Sequence, residues 1–109
     1  VCFSDLPTFE RFSARAASAR VPIVLGLWPF ESVLNAEYMA NEVPGVSVPE
    51  VVLERMRKAD GAERAAAEGS AIACEVGRAL RGAVQGIHVA APFGRIDLAL
   101  DVIAGFAVV

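Results

Sequence analysis

Two short apolar runs, residues 23–27 (IVLGL) and 86–91 (GIHVAA), constrain this chain more than anything else in it. Neither alternates apolar with polar residues, as a strand with one wet face does. Both therefore suit parallel strands buried on two sides. Parallel strands cannot be joined by a tight turn; they need a crossover of a dozen or more residues, which helices supply. The sequence between the runs reads as helix, and the order along the chain is helix, strand, three helices, strand, helix. That alternation predicts an α/β fold around a parallel sheet.

Local signals place the helices. Asp5 can cap the first, with Pro7 in its opening turn, and Leu6, Phe9, Phe12 and Ala16 recur at helical spacing towards Arg20. Pro22 ends it before the first strand. Trp28-Pro29-Phe30 makes a corner, and Glu31 or Ser32 opens a second helix reaching about Asn41. Pro44-Gly45 is a turn, since Pro presets its own φ and Gly tolerates a positive one. Pro49 stands at the first turn of a third helix, with Val52, Leu53 and Met56 on one side. Asp60-Gly61 separates it from a long fourth helix over residues 62–82. The stripe on that helix, Ala65, Gly69, Ile72, Val76 and Leu80, contains small residues that let a neighbour approach closely. The last helix is expected to turn Ile96, Ala99, Leu100 and Ile103 inward, with Asp97 and Asp101 facing out.

The 109 residues suit one domain, 1–109. Two strands are too few to close a sheet, so the sheet is expected to be completed by missing sequence or by another copy. The absence of an initiator Met suits a processed or excised chain. Net charge is −3, and the densest basic run, Arg55, Arg57 and Lys58, lies among Glu50, Glu54 and Asp60. Such a run is a solvated helix face rather than a phosphate track, so nucleic acid is not an expected partner. No stretch approaches the roughly 18 uncharged apolar residues of a membrane span, and the N-terminus lacks the pattern of a signal peptide. A cytoplasmic protein without a membrane partner is the expectation. Cys2 and Cys74 belong to no metal-spaced set and read as buried thiols. A single histidine, His88, leaves no room for a His-based zinc site or a Ser-His-Asp triad.

Three stretches carry a family resemblance: PIVLGLWPFESVLNAEYMANEVPGVSVPEVVLERM (22–56), AEGSAIACEV (67–76) and VQGIHVAAPFGRIDLALDVI (84–103). With their Gly-Leu-Trp-Pro, Asn-Glu-Val-Pro-Gly-Val and Ala-Pro-Phe-Gly-Arg motifs, they resemble the C-terminal part of methylenetetrahydrofolate reductase. The likeness is greatest to the reductase half of bacterial proteins that fuse it to a homocysteine methyltransferase. It spans nearly the whole chain. It implies the C-terminal portion of a (β/α)8 TIM barrel, about two parallel strands (the seventh and eighth) with flanking helices, from a fold of about 250 residues.

The resemblance also implies an activity, the reduction of 5,10-methylenetetrahydrofolate to 5-methyltetrahydrofolate by a flavoprotein that uses NAD(P)H. On it, Arg95, just past the eighth strand, and Phe3, near the end of the sixth, are substrate-binding residues. The family carries a glutamine near Phe3, and none stands there in this chain. The family's general-acid glutamate and nearly all its flavin-binding residues belong to earlier strands. FAD is thus a cofactor of the complete barrel and not of this chain, which alone is expected to be inactive. The expected partners are the folate, NAD(P)H and the missing N-terminal barrel segment.

Other readings stand beside this one. The chain reads also as a non-catalytic truncated remnant or assembly module that docks to another barrel fragment or self-associates, and last as an independent small α/β binding domain. Arg95 reads alternatively as an exposed first-turn residue, although a cation at a helix N-terminus is slightly unfavourable. Trp28 and Phe30 read as wedges for their loop, and Asn35, Glu37, Asn41 and Glu42 as caps and anchors. His88 reads as a hydrogen-bonded histidine of the core or barrel interior.

Overall fold

The computed structural model describes residues 5–19 and 21–107. Readings that rest on Cys2, Phe3 or Arg20 lie outside the described residues. Helix α1 (Leu6–Ala16) begins as its sequence demands. The Asp5 carboxylate accepts the Thr8 N–H at 3.2 Å and the Thr8 hydroxyl at 2.6 Å, satisfying a free helix-end donor. A 3₁₀ turn, Ala17–Ala19, follows it. Strand β1 is Val24–Leu27. Ser32 caps α2 (Val33–Asn41), its Oγ accepting from the Asn35 N–H at 3.0 Å. Pro49 precedes α3 (Glu50–Lys58), and α4 (Ala62–Leu80) starts after Gly61, whose φ of +89° suits glycine. Strand β2 is Gly86–Val89, and α5 is Ile96–Ala107. The observed order is the one the sequence implies.

The two strands pair in parallel, Val24 opposite Gly86, Leu25 opposite Ile87, Gly26 opposite His88 and Leu27 opposite Val89. The fold is mixed α/β with a two-stranded parallel sheet among the described residues. Leu25 and Leu27, with Ile87 and Val89, pack on Ala73, Val76 and Leu80 of α4 and Val102 of α5. Alternation along a strand sends Val24 and His88 to the opposite face. There Val24 is 63% exposed and His88 is at the surface. The two-sided burial expected of the strands is therefore not found. Both covering helices, α4 and α5, lie on one side, and His88 sits on the other rather than in the core.

A second apolar cluster, Phe30, Ala36, Val52, Leu53, Met56, Ala65 and Ile72, joins α2, α3 and the first half of α4 to the corner after β1. Helix α4 thus serves both clusters. The expected close approach is real: a Cβ on Gly69 would stand 1.8 Å from the Phe30 carbonyl oxygen. Ala66, Ser70, Ala73 and Gly77 are buried as well, which makes the covered face of α4 broader than the five-residue stripe. On the surface, Arg55 ties α3 to α4 through Glu68 (Nε to Oε1, 2.7 Å) and Glu75, while Arg57 pairs with Glu50 at 2.9 Å. Two cations of the basic run, Arg55 and Arg57, are held in ion pairs between and along helices.

The inward face of α5 needs correction. Leu98, Ala99 and Val102 are buried, whereas Ile96, Leu100 and Ile103 are exposed. Asp97 and Asp101 do face out. The phase is set by one tight contact: Gly105 lies so close to α4 that a Cβ would come within 2.5 Å of the Cys74 Sγ. The Arg78 Nε donates to the Gly105 carbonyl at 3.0 Å at the same place. Among the described residues, no helix is long and apolar enough to cross a membrane.

Candidate functional site

Parallel pairing brings the C-terminal ends of β1 and β2 to one side of the sheet, so Trp28-Pro29-Phe30 and the segment from Ala90 to Arg95 leave it at the same end. The second corner is a tight turn. The Gly94 N–H donates to the Ala91 carbonyl at 3.1 Å, and the Arg95 N–H donates to the Pro92 carbonyl at 3.0 Å. Pro92 is buried, while Phe93 (φ +54°) and Gly94 (φ +73°) are both left-handed. Glycine accepts that conformation freely; a phenylalanine does not.

Arg95 stands immediately before α5 with its side chain half-buried. Its guanidinium forks onto Asp97, Nε to Oδ1 at 3.0 Å and Nη2 to Oδ2 at 2.9 Å. Hydrogen bonding to Asp97 raises the Arg95 pKa, and the charges of Asp97, Glu63 and Glu31 act the same way against a small desolvation effect. Reciprocally, Arg95 holds the Asp97 carboxyl below its ordinary value. The pair explains how a cation tolerates this position. Asp97 gives the first turn of α5 the anion its dipole favours, and Arg95 bonds to that anion. Among the described residues, these bonds use Nε and Nη2 of the fork.

The first corner behaves differently. Phe30 is buried in the helical cluster, and the Trp28 Nε1 donates to the Oδ1 of the buried Asn35 at 3.2 Å. Both aromatics fix the loop, as their wedge reading implies, and Asn35 is its anchor. Glu37 faces Arg57 on α3 at 3.7 Å. Phe3 lies outside the described residues, so of the two substrate-binding expectations only Arg95 is placed. Two features of the corner go beyond the sequence expectations, the pairing of the outward-facing Asp97 with Arg95 and the exposed Phe93. Asp97 was legible as an acidic residue in a helix's first turn. Phe93 was not, because Gly94 signals a left-handed position only for itself.

A separate groove of about 420 Å³ lies beside β1, lined also by residues of α1 and by Gly45 and Ser47. Phe9, Phe12 and Val24 make it apolar, with Asp5 and Ser47 at its rim. It is distinct from the Arg95 corner. A flavin's diphosphate needs cations or a cradle of backbone N–H groups. The one placed cation of the corner, Arg95, has Asp97, Glu63 and Glu31 in its field, a net acidic set. These residues do not fit FAD, and no flavin step is assigned to them. Cys74 is half-buried, its thiol donating to the Val102 carbonyl at 3.6 Å and its pKa pushed up chiefly by burial. Among the described residues, no three His, Cys, Asp or Glu side chains form a group able to hold a metal ion. A scan against protein-family models, a search of curated proteins and a search of solved structures each give no match.

Proposed function

We propose that the chain is the C-terminal portion of a (β/α)8 barrel like that of methylenetetrahydrofolate reductase, and that Arg95 forms part of its folate-binding wall. The observation that carries this reading is the place of Arg95. It follows the C-terminal end of a parallel strand whose second face is uncovered, which is where barrels of this kind build their sites. The sequence motifs around both corners support it. On this reading the upstream strands carry FAD and take the nicotinamide, and the present residues orient the folate. A planar, permanently charged fork already fixed by Asp97 is suited to that task.

A second reading is favoured by a different observation. The groove beside β1 and the exposed Ile96, Leu100 and Ile103 of α5 are apolar surface uncovered among the described residues. A truncated assembly module, docking to a barrel fragment or to itself, would use those surfaces and need no catalysis.

Two measurements separate the readings. An antibody against residues 49–58 should detect, in the source cells, a polypeptide several times the mass of these 109 residues. A band at the mass of the chain itself favours the assembly module. In the complete polypeptide, Arg95→Ala should raise KM for methylenetetrahydrofolate by roughly tenfold or more while flavin absorbance is retained. Equal loss of flavin and of folate turnover would remove Arg95 from the folate wall.

A further inference from the structure

We propose that the chain associates with a second copy of itself through unlike surfaces, α5 of one copy docking on the exposed flank of α1 of another. This rests on the assembly-module reading and deepens it, since it names the partner and both surfaces. Helix α5 exposes Ile96, Leu100 and Ile103, one row at helical spacing. By helical period that row lies opposite Gly105, the residue seated on α4, and so points away from α4. Asp97 and Asp101, exposed and four residues apart, run beside it. On α1 the exposed Phe12 ring is flanked by Arg11 and Arg15, also exposed and four residues apart. Thr8 and Phe12 line both the groove beside β1 and a second hollow that reaches Arg11 and Arg15. The apolar and basic surfaces of α1 are therefore continuous.

Charge selects this pairing over its alternatives. Two α5 rows packed on each other would set Asp97 and Asp101 against like charges. Two α1 flanks would do the same with Arg11 and Arg15. Packing α5 on α1 places acid against base, and because both charged rows step by four residues, two opposite pairs form together. Arg15 and Asp101 take part in none of the ion pairs among the described residues, which leaves both charges for the partner. Arg11 and Asp97 are the lesser pair. The Arg11 Nη2 already donates to the Thr8 Oγ1 at 3.1 Å, with Asp5 in its field, and Asp97 is held by Arg95. Glu10 falls on the flank of α1 away from Phe12 and does not meet the acidic row. Inside the charged rows, the aliphatic side chains of α5 meet Phe12 and the groove beside it, which covers apolar surface on both copies.

The test is analytical ultracentrifugation of the 109-residue chain, as the parent and as the variants Arg15→Glu and Asp101→Arg. The parent should associate reversibly with Kd on the order of 10 μM, as small interfaces do. Raising salt to about 0.5 M should weaken it. Each charge reversal alone should weaken association by about tenfold or more. Circular dichroism and Tm should stay at parental values, because both side chains are exposed. An equal mixture of the two variants should recover the parental association, since every α5–α1 contact between unlike chains then sets acid against base. A mixture that does not recover overturns the proposal, as does a loss confined to Asp101→Arg, which marks α5 packed on α5. Association that both variants keep overturns it as well, and leaves the assembly-module reading standing on other surfaces. A parent that is monomeric at ~1 mM also overturns it. If the source cells then hold only a longer polypeptide, the assembly-module reading fails with it.

Discussion

Helices α1 and α4 are both amphipathic in sequence, yet α4 buries nine residues and α1 buries none. The difference is one of neighbours. Helix α4 runs between the sheet cluster and the helical cluster, with α5 along a third side, and its small residues let each come close. Helix α1 meets the sheet cluster only through the partly buried Leu6 and Phe9, and its Phe12 remains 55% exposed beside the groove along β1. Period-3.6 patterning tells which face of a helix is apolar. What covers that face is decided elsewhere, by elements distant in the chain.

The sharpest way to break the comparison is to fill the closest contact of α4. In Gly69→Ala the new methyl would collide with the Phe30 backbone carbonyl, an atom that cannot swing away as a side-chain end can. Overpacking of that kind should cost about 3 kcal/mol or more, enough to threaten the fold of a chain this size. Urea denaturation followed by circular dichroism measures it. A loss below about 1 kcal/mol would mean that α4 stands further from the corner than the structure places it.

Legibility in the sequence follows the same division. The element order, the Asp5 and Ser32 caps and the inward sides of α3 and α4 could be read directly, because caps and periodicity are local. The phase of α5 could not. Its sequence, IDLALDVIAGFA, is apolar almost all round, so Ile96, Leu100 and Ile103 offer as good a stripe as Leu98, Ala99 and Val102. Gly105 decides between them by seating α5 on Cys74, a contact between residues 31 positions apart. The uncovered sheet face escaped for a related reason: two apolar runs specify strands but not which side the helices take. At the corner, Arg95 could be singled out in advance, whereas the exposed Phe93 ring depends on backbone angles that no pattern announces.

A smaller effect probes how loosely α1 is held. The Thr8 bonds, with lesser help from Ser47, keep the Asp5 carboxyl below its ordinary value of 3.8. A carboxyl depressed in the folded state stabilises it fully above its unfolded value, and the contribution fades as pH falls through the folded one. Asp5→Ala should therefore weaken the helix by about 1 kcal/mol at neutral pH. The gap between parent and variant should close progressively below the ordinary value. Because α1 buries no residue, the loss belongs to local opening rather than to global unfolding. Amide exchange in α1 should quicken about fivefold while exchange in α4 is unchanged. Equal acceleration in both helices would show that α1 unfolds only with the rest.

The smallest expected effect is the most telling about what lies beside α1. Phe12→Ala removes a large apolar ring, a change that costs about 3–5 kcal/mol in a packed core. In this chain it should shift stability by less than about 0.5 kcal/mol, since the ring is more than half exposed. A loss of 2 kcal/mol in the isolated chain would mean that the ring is already covered, and the contrast with α4 would collapse. In a longer polypeptide the same substitution has a different meaning. If a further strand fills the groove along β1, Phe12 becomes part of a two-sided core, and its removal should approach the cost of a core phenylalanine. The difference between the two contexts therefore measures how much of the apolar face of α1 depends on residues beyond these 109.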